Sequence, residues 1–375
     1  MPGKKKLVMV TVVLMFLATA AYAAKQVYNF KGGVKTRATK GLTKSELKPM
    51  PDPSGFFTWT YTFMIWGDDS SSGMIQFSYW KYLVMSQHGL VFSFIDKGDK
   101  LYMGKAIFKA EEVKYKADPP QLSMGPNYWK GYYPDFYLHM DVPALEGRPA
   151  MKADLHLKCR TPGWRPGEGP THYETPDGPW YDLIVMIPWA DLEGAITIGG
   201  QVKKIKGFGY SDHNTQTVFP TAQLDQLLAL RSFSNEYAIN FLDYIAPVKL
   251  SGTRTTWLIV MKGDRILYAT DKWERKMSDF VTEPKRGYKY PRRIEVKIDQ
   301  PDLKLTGTIK GLKHIETLDT MAELPGFIRT VAEQFVTAPV FIRQNITADW
   351  QLTMPAENLN DQFTNRGVLE TTIVR

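Results

Sequence analysis

Cysteine is nearly missing from this sequence: Cys159 is the only one among 375 residues. One thiol excludes an intramolecular disulfide and leaves no basis for a metal–thiolate site. HExxH, paired CxxC, the phosphate-cradling Walker loop and the Gly-x-Ser-x-Gly elbow are absent as well. Gly207-x-Gly209 lacks the third glycine and the βαβ setting of a dinucleotide site. The sequence therefore predicts neither metal nor cofactor. Long apolar runs are missing except at the N-terminus, where Lys4, Lys5 and Lys6 precede Leu7 to Thr19 and Ala21-Tyr22-Ala23 offers a small-x-small cleavage site. That run is short for a permanent span. It reads as a signal peptide over residues 1–23, cut between Ala23 and Ala24, which makes the mature chain periplasmic or secreted.

Concentrated charge of one sign is also missing. The formal charge of +8 falls to +5 once Lys4, Lys5 and Lys6 leave with the leader, and the other basic residues are scattered apart from short pairs such as Lys285-Arg286 and Arg292-Arg293. This pattern predicts no nucleic-acid partner. The short basic cluster reads as a solvated loop, or as a transient contact with anionic headgroups at a membrane surface.

What the sequence does have is period-two alternation. Phe57, Trp59, Tyr61, Phe63 and Ile65 fall on one face of a strand, with Thr58, Thr60 and Thr62 on the other. Leu90 to Phe94, Phe136 to Val142, Ala153 to Leu157, Ile239 to Tyr244, Thr256 to Met261, Ile294 to Ile298, Leu303 to Ile309 and Val368 to Val374 repeat the signal. Gly, Pro, Asp and Asn turns separate them, so the class is all-β, with antiparallel sheets or barrels. Helical spacing appears only at Leu324 to Val336 and, less clearly, at Ala222 to Leu230. A chain of this length exceeds one core. The division is a leader over 24–50, a first domain over 51–205 that includes a long Pro- and Gly-rich loop from Pro162 to Pro179, and a second domain over 206–375.

The most informative stretch is Trp189 to Asn214. Ala195 to Ile198 reads as a strand, Gly199-Gly200 as a two-residue hairpin turn and Val202 to Lys206 as the returning strand, after which Gly207 and Gly209 bring the backbone close to another element. Pro188, Leu192-Glu193-Gly194, Gly199-Gly200 and Gly207-Phe208-Gly209-Tyr210-Ser211-Asp212-His213-Asn214 carry a resemblance. Their layout is similar to that of the two-domain lipocalin-like superfamily of AttH proteins, carotenoid 1,2-hydratases of the hydroxyneurosporene synthase type, tocopherol cyclases, Svf1-type lipid carriers and fungal lipocalin-like Diels–Alderases. Looser matches at Tyr290-Pro291, Asp264 to Thr270 and Gly367 to Glu370 extend it from about Trp180 to the C-terminus. The resemblance implies two calycin-like antiparallel β-barrels with few short helices. In the carotenoid hydratases Trp-Gly follows the Asp-His-Asn, whereas Thr215-Gln216 stands here, so that activity is not carried over.

Two readings of the central motif follow. Asp212, His213 and Tyr210 are candidate catalytic groups: a carboxyl held protonated in an apolar cavity can protonate an alkene, as hydration or cyclisation of an isoprenoid or polyene requires. Alternatively Asp212, His213 and Asn214 form a hydrogen-bonded corner at the domain joint. Neighbours on a strand face opposite ways, so Asp212 and His213 share a cavity only if a turn intervenes. Asn214, Trp59, Trp66, Trp80 and Trp180 are candidate ligand contacts, since a barrel of this kind either fills with aromatics or keeps a cavity for an apolar molecule. His139 and His156 lie on polar strand faces, and His88, His172 and His314 stand alone. The function read from the sequence is an exported protein that binds a hydrophobic small molecule or lipid. A hydratase, cyclase or isomerase is the alternative, and a ligand-free structural protein is the third reading. Nothing in the sequence sets the oligomeric state.

Overall fold

A computed structural model describes residues 26–30, 33–34, 41–50, 55–82, 85–145, 147–284, 287–319 and 340–374. The signal-peptide stretch and the helix expected over Leu324 to Val336 lie outside these residues. Within them the chain is almost entirely antiparallel strand, as the alternation predicts. The first sheet runs in the order Leu101–Phe108, Met85–Ile95, Ser72–Tyr82, Phe57–Gly67, Gln201–Gln216, Trp180–Ile198, Met151–Cys159, Asp135–Val142, Asn127–Tyr132, Pro120–Met124 and Val113–Ala117. It curls until Leu101–Phe108 packs on the far strands: a Cβ at Gly104 would lie 2.9 Å from Val142. The second sheet runs Arg265–Thr270, Arg254–Lys262, Tyr237–Ile245, Gln226–Phe233, Leu359–Ile373, Val340–Met354, Lys304–Asp319, Lys289–Asp299 and Glu274–Thr282. Its two edge strands are consecutive in the chain, and the Tyr268 hydroxyl donates to Asp302 at 2.8 Å.

Three expectations need correction. The candidate helix over Ala222 to Leu230 is one helical turn, Pro220–Gln223, followed by the strand Gln226–Phe233. Leu228 and Leu230 enter the second barrel while Ala229 and Phe233 pack against the first domain; burial on both faces erased the alternation that marks a strand. The domain joint moves from 205 to the stretch between Gln216 and Gln226, because Gln201–Gln216 pairs along its whole length within the first sheet. The expected leader is part of the fold. Gln26–Tyr28 pairs with Thr171–Glu174, Val34 is buried between the domains, and Leu42 and Leu47 are buried in the first barrel's core.

The first barrel is filled with aromatics. Phe57, Tyr61, Phe63, Phe77 and Trp129 are fully buried there, each worth about 1.5–3 kcal/mol of burial. A second core lies between the domains, where Trp164, Trp189 and Tyr210 meet Phe233, Tyr244 and Trp257. The second barrel is largely aliphatic.

Candidate functional site

The central motif sits on the strand Gln201–Gln216. Its hairpin with Trp180–Ile198 turns at Gly199 and Gly200, with φ of 55° and 87°, the pair of positive values such a turn requires. Gly207 passes the neighbouring strand so closely that a Cβ would lie 2.0 Å from the Trp66 carbonyl oxygen. Gly209 meets Leu157 in the same way at 2.3 Å. Beyond them the strand runs unbroken beside Phe57–Gly67, with Asp212 opposite Thr62 and His213 opposite Tyr61. No turn intervenes, so Asp212 and His213 face opposite ways.

Tyr210 and Asp212 face the second domain. Arg231 donates to Asp212 at 3.3 Å, and its guanidinium lies 5.0 Å from the centre of the Tyr210 ring. Arg343 continues this buried chain, donating to Glu370 at 2.7 Å and to Glu316 at 2.5 Å. Three carboxyls thus share two guanidinium groups, and full ionisation would leave one uncompensated buried charge. Burial raises the pKa of Asp212 against the pull of Arg231. For Glu370 burial is outweighed by Arg343 and then Arg231, which hold its pKa below the ordinary value. Asp212 accordingly keeps a proton more readily than an ordinary aspartate. It is 4% exposed and sealed in the joint. Asn214 is half-buried on the same side of the strand.

His213 faces the first barrel. Its ring stacks on Tyr61 with centroids 3.9 Å apart, and its Nδ1–H donates to the Thr60 carbonyl at 3.0 Å. Burial lowers its pKa to about 4, so the ring is neutral near pH 7 and Nε2 is an acceptor. Nε2 lies 3.4 Å from the Thr215 hydroxyl. Both side chains line a cavity of about 340 Å³ at the mouth of the barrel, with Trp180, Ile184, Arg165 and Asp182. Arg165 donates to Asp182 at 2.6 Å, its Nε has no hydrogen-bond partner among the described residues, and burial raises the Asp182 pKa against Arg165.

The structure therefore divides the sequence candidates. His213 and Trp180 share the mouth cavity; Trp59 is packed within the barrel, Trp66 in the inter-domain core, and Trp80 is 36% exposed on the outer face. His139 and His156 pair with Asp154 and Asp135 on the outside. Sequence reasoning passed over Arg165 and Asp182, which lie in or beside the Pro- and Gly-rich loop, and over Arg231, Arg343, Glu316 and Glu370. The one available signal was a charged residue inside an apolar run, as in Leu227 to Phe233.

Among curated proteins, the ceramide-binding protein SVF1 of Yarrowia lipolytica is 22% identical over 231 residues, covering 56% of this chain and 58% of that protein. The ceramide-binding protein svf1 of Emericella nidulans is 24% identical over 233 residues, covering 57% and 58%. The chain thus spans a little over half the length of the curated relatives it matches. Among solved structures, CghA with Sch210972 superposes with a TM-score of 0.62 at 10% identity, covering 94% of this chain and 99% of that one. Kievitone hydratase from Nectria haematococca gives 0.56 at 11% identity, covering 94% and 98%. At such identities the likeness is one of fold, and that fold is lipocalin-like and two-domain. The Svf1 family description matches residues 16–374, and the chain belongs to the Svf1 family.

Proposed function

We propose that this protein is an exported carrier that holds a neutral lipid of ceramide type at the mouth of its first barrel. The observation that carries the reading is the mouth cavity, where a neutral His213 and the Thr215 hydroxyl stand beside the apolar Trp180 and Ile184, while the charge of Arg165 on the same wall is met by Asp182 and Glu46. Such a site suits an uncharged headgroup bearing hydroxyl and amide groups with hydrocarbon attached, since polar groups fix orientation while apolar walls supply affinity. The names of the two fungal relatives support the lipid class. Export rests on the Lys4 to Ala23 pattern and places the carrier in the periplasm or outside the cell. Transient contact with a lipid surface belongs to the same reading: Met50, Trp80, Met85, Tyr133 and Phe219, exposed on elements at or next to the mouth, are side chains suited to a bilayer interface. Acid catalysis by Asp212 is disfavoured, because its carboxyl faces Arg231 in a closed joint.

The test is native mass spectrometry with lipid extraction on the mature protein purified from its own exported compartment. A co-purifying ceramide-like lipid is the expected result. An empty protein that also ignores added ceramides and isoprenoids would overturn the proposal.

A further inference from the structure

The segment 41–50 lies across the mouth of the first barrel and belongs to no strand. The single turn Lys44–Leu47 is closed on itself by the Thr43 N–H and hydroxyl, both donating to Glu46 at 2.8 and 2.9 Å. Leu42 and Leu47 drop into the aromatic core below. The segment is fastened by side chains: Tyr61 donates to the Leu47 carbonyl at 2.8 Å, Tyr132 donates to the Leu42 carbonyl, Lys44 pairs with Asp118 at 2.6 Å, and Glu46 pairs with Arg165 at 3.7 Å. Cavities lie on both of its sides. The 340 Å³ cavity is lined by its Ser45, Glu46, Lys48 and Met50, and a second of about 170 Å³ by its Gly41, Leu42 and Leu47 facing Tyr132, Phe136 and Met186.

We propose that Leu42 and Leu47 hold the place of the ligand's hydrocarbon: the segment is a built-in plug, and the two cavities are the head and tail halves of one lipid site. The proposal rests on the carrier reading and adds how the site is filled. The barrel below is occupied by Tyr61, Phe63 and Trp129, so a long chain finds room only where something leaves. A strand cannot leave without breaking a ladder of backbone hydrogen bonds. The plug leaves by breaking a few side-chain contacts, one of them an exposed ion pair of little worth. An alkyl chain then refills the apolar space that Leu42 and Leu47 vacate, and the head meets His213 and Thr215. The ligand class follows: one neutral, hydroxyl- or amide-bearing head on a hydrocarbon chain long enough to reach from the first cavity to the second. A plug that competes with its ligand also lowers the apparent affinity by the fraction of time it stays closed.

Hydrogen exchange read by mass spectrometry on the full mature chain tests this, with palmitoyl ceramide and hexanoyl ceramide delivered from phosphatidylcholine vesicles. The expected result is uptake of palmitoyl ceramide with exchange at the amides of residues 42–48 accelerated about tenfold or more. Uptake with those amides unchanged or slowed overturns the plug and leaves the carrier reading standing. Failure to take up either lipid overturns the carrier reading itself. The double variant Leu42→Ala, Leu47→Ala is expected to bind palmitoyl ceramide about tenfold more tightly, and equal or weaker binding by a folded double variant counts against the plug. If that variant does not fold, the exchange experiment on the unaltered protein still decides.

Discussion

Adjacent residues on a strand serve different masters, and Asp212 and His213 show it. His213 has a folded-state pKa of about 4, against about 6.5 for an ordinary imidazole, because burial penalises its charged form. The unfolded ring therefore binds a proton more readily than the folded one. Its contribution to stability is complete above pH 6.5 and is lost as pH falls toward 4, at about 1.4 kcal/mol per pH unit. Urea unfolding at pH 7 and pH 5 should show His213→Phe retaining about 2 kcal/mol that the parent loses between those values. Equal losses in the two proteins would mean that the ring is not buried neutral. The same variant lacks the Nε2 acceptor and should bind ceramide about tenfold more weakly at pH 7, as expected for one lost hydrogen bond. Asp212 predicts the contrary pattern. Asp212→Asn keeps an acceptor for Arg231 and relieves the surplus negative charge, so ceramide binding should be unchanged and stability should move by less than about 1 kcal/mol. Arg231→Met leaves Glu370 with one cation fewer and should cost about 3–5 kcal/mol in the same denaturation assay. Only part of this was readable beforehand. The alternation rule already implied opposite faces for Asp212 and His213, but Arg231 is distant in sequence, and no local spacing announces such a partner.

Elements were legible where one face is buried and one is wet, because there the pattern of side chains records the pleat. Met151–Cys159 is such a strand, whereas Phe57–Gly67 alternates in burial only over its first four residues and is buried on both faces beyond them. Gln226–Phe233 is buried on both faces and read as helix, and Trp180–Ile198 was recognisable only at its last four residues. Pro188 interrupts that strand, and the structure accommodates it at the register breaks between Val185 and Ala190, where a missing N–H costs no ladder bond. The Pro188 carbonyl accepts from Asn240 of the second domain at 2.8 Å, so the irregular stretch becomes a contact point. The glycine requirements were legible too, and they can be tested. Gly207→Ala places a methyl group 2.0 Å from a backbone oxygen, which only separation of the two strands can relieve. It should destabilise the protein by about 3 kcal/mol or more in urea and lower ceramide uptake, since the same strand carries His213. Unchanged stability would show that the ladder yields more easily than this geometry allows.

At the scale of the molecule the question is whether two barrels make one cooperative unit. Their shared core contains Trp164, Trp189, Phe208 and Tyr210 from the first domain with Phe233, Tyr244 and Trp257 from the second, an apolar cluster too large for either domain to leave in water. Polar links cross the same joint: the Tyr173 and Tyr244 hydroxyls lie 2.6 Å apart, Thr255 donates to Asn29 at 2.7 Å, and Arg231 reaches Asp212. None of this was visible in the sequence, since period-two patterns tell which side of a strand is buried but not what covers it. Interfaces between domains are commonly small and mobile, whereas a large apolar one couples the partners. The consequence is a single unfolding transition. Tryptophan fluorescence and hydrogen exchange, followed separately for strands such as Met151–Cys159 in the first barrel and Lys289–Asp299 in the second, should give coincident midpoints in urea. Ceramide bound at the first barrel's mouth should then raise both midpoints together, because ligand binding stabilises every part of a unit that unfolds as one. Two separated transitions, with only the first shifted by lipid, would show that the barrels are independent and that the joint between them is a contact rather than a core.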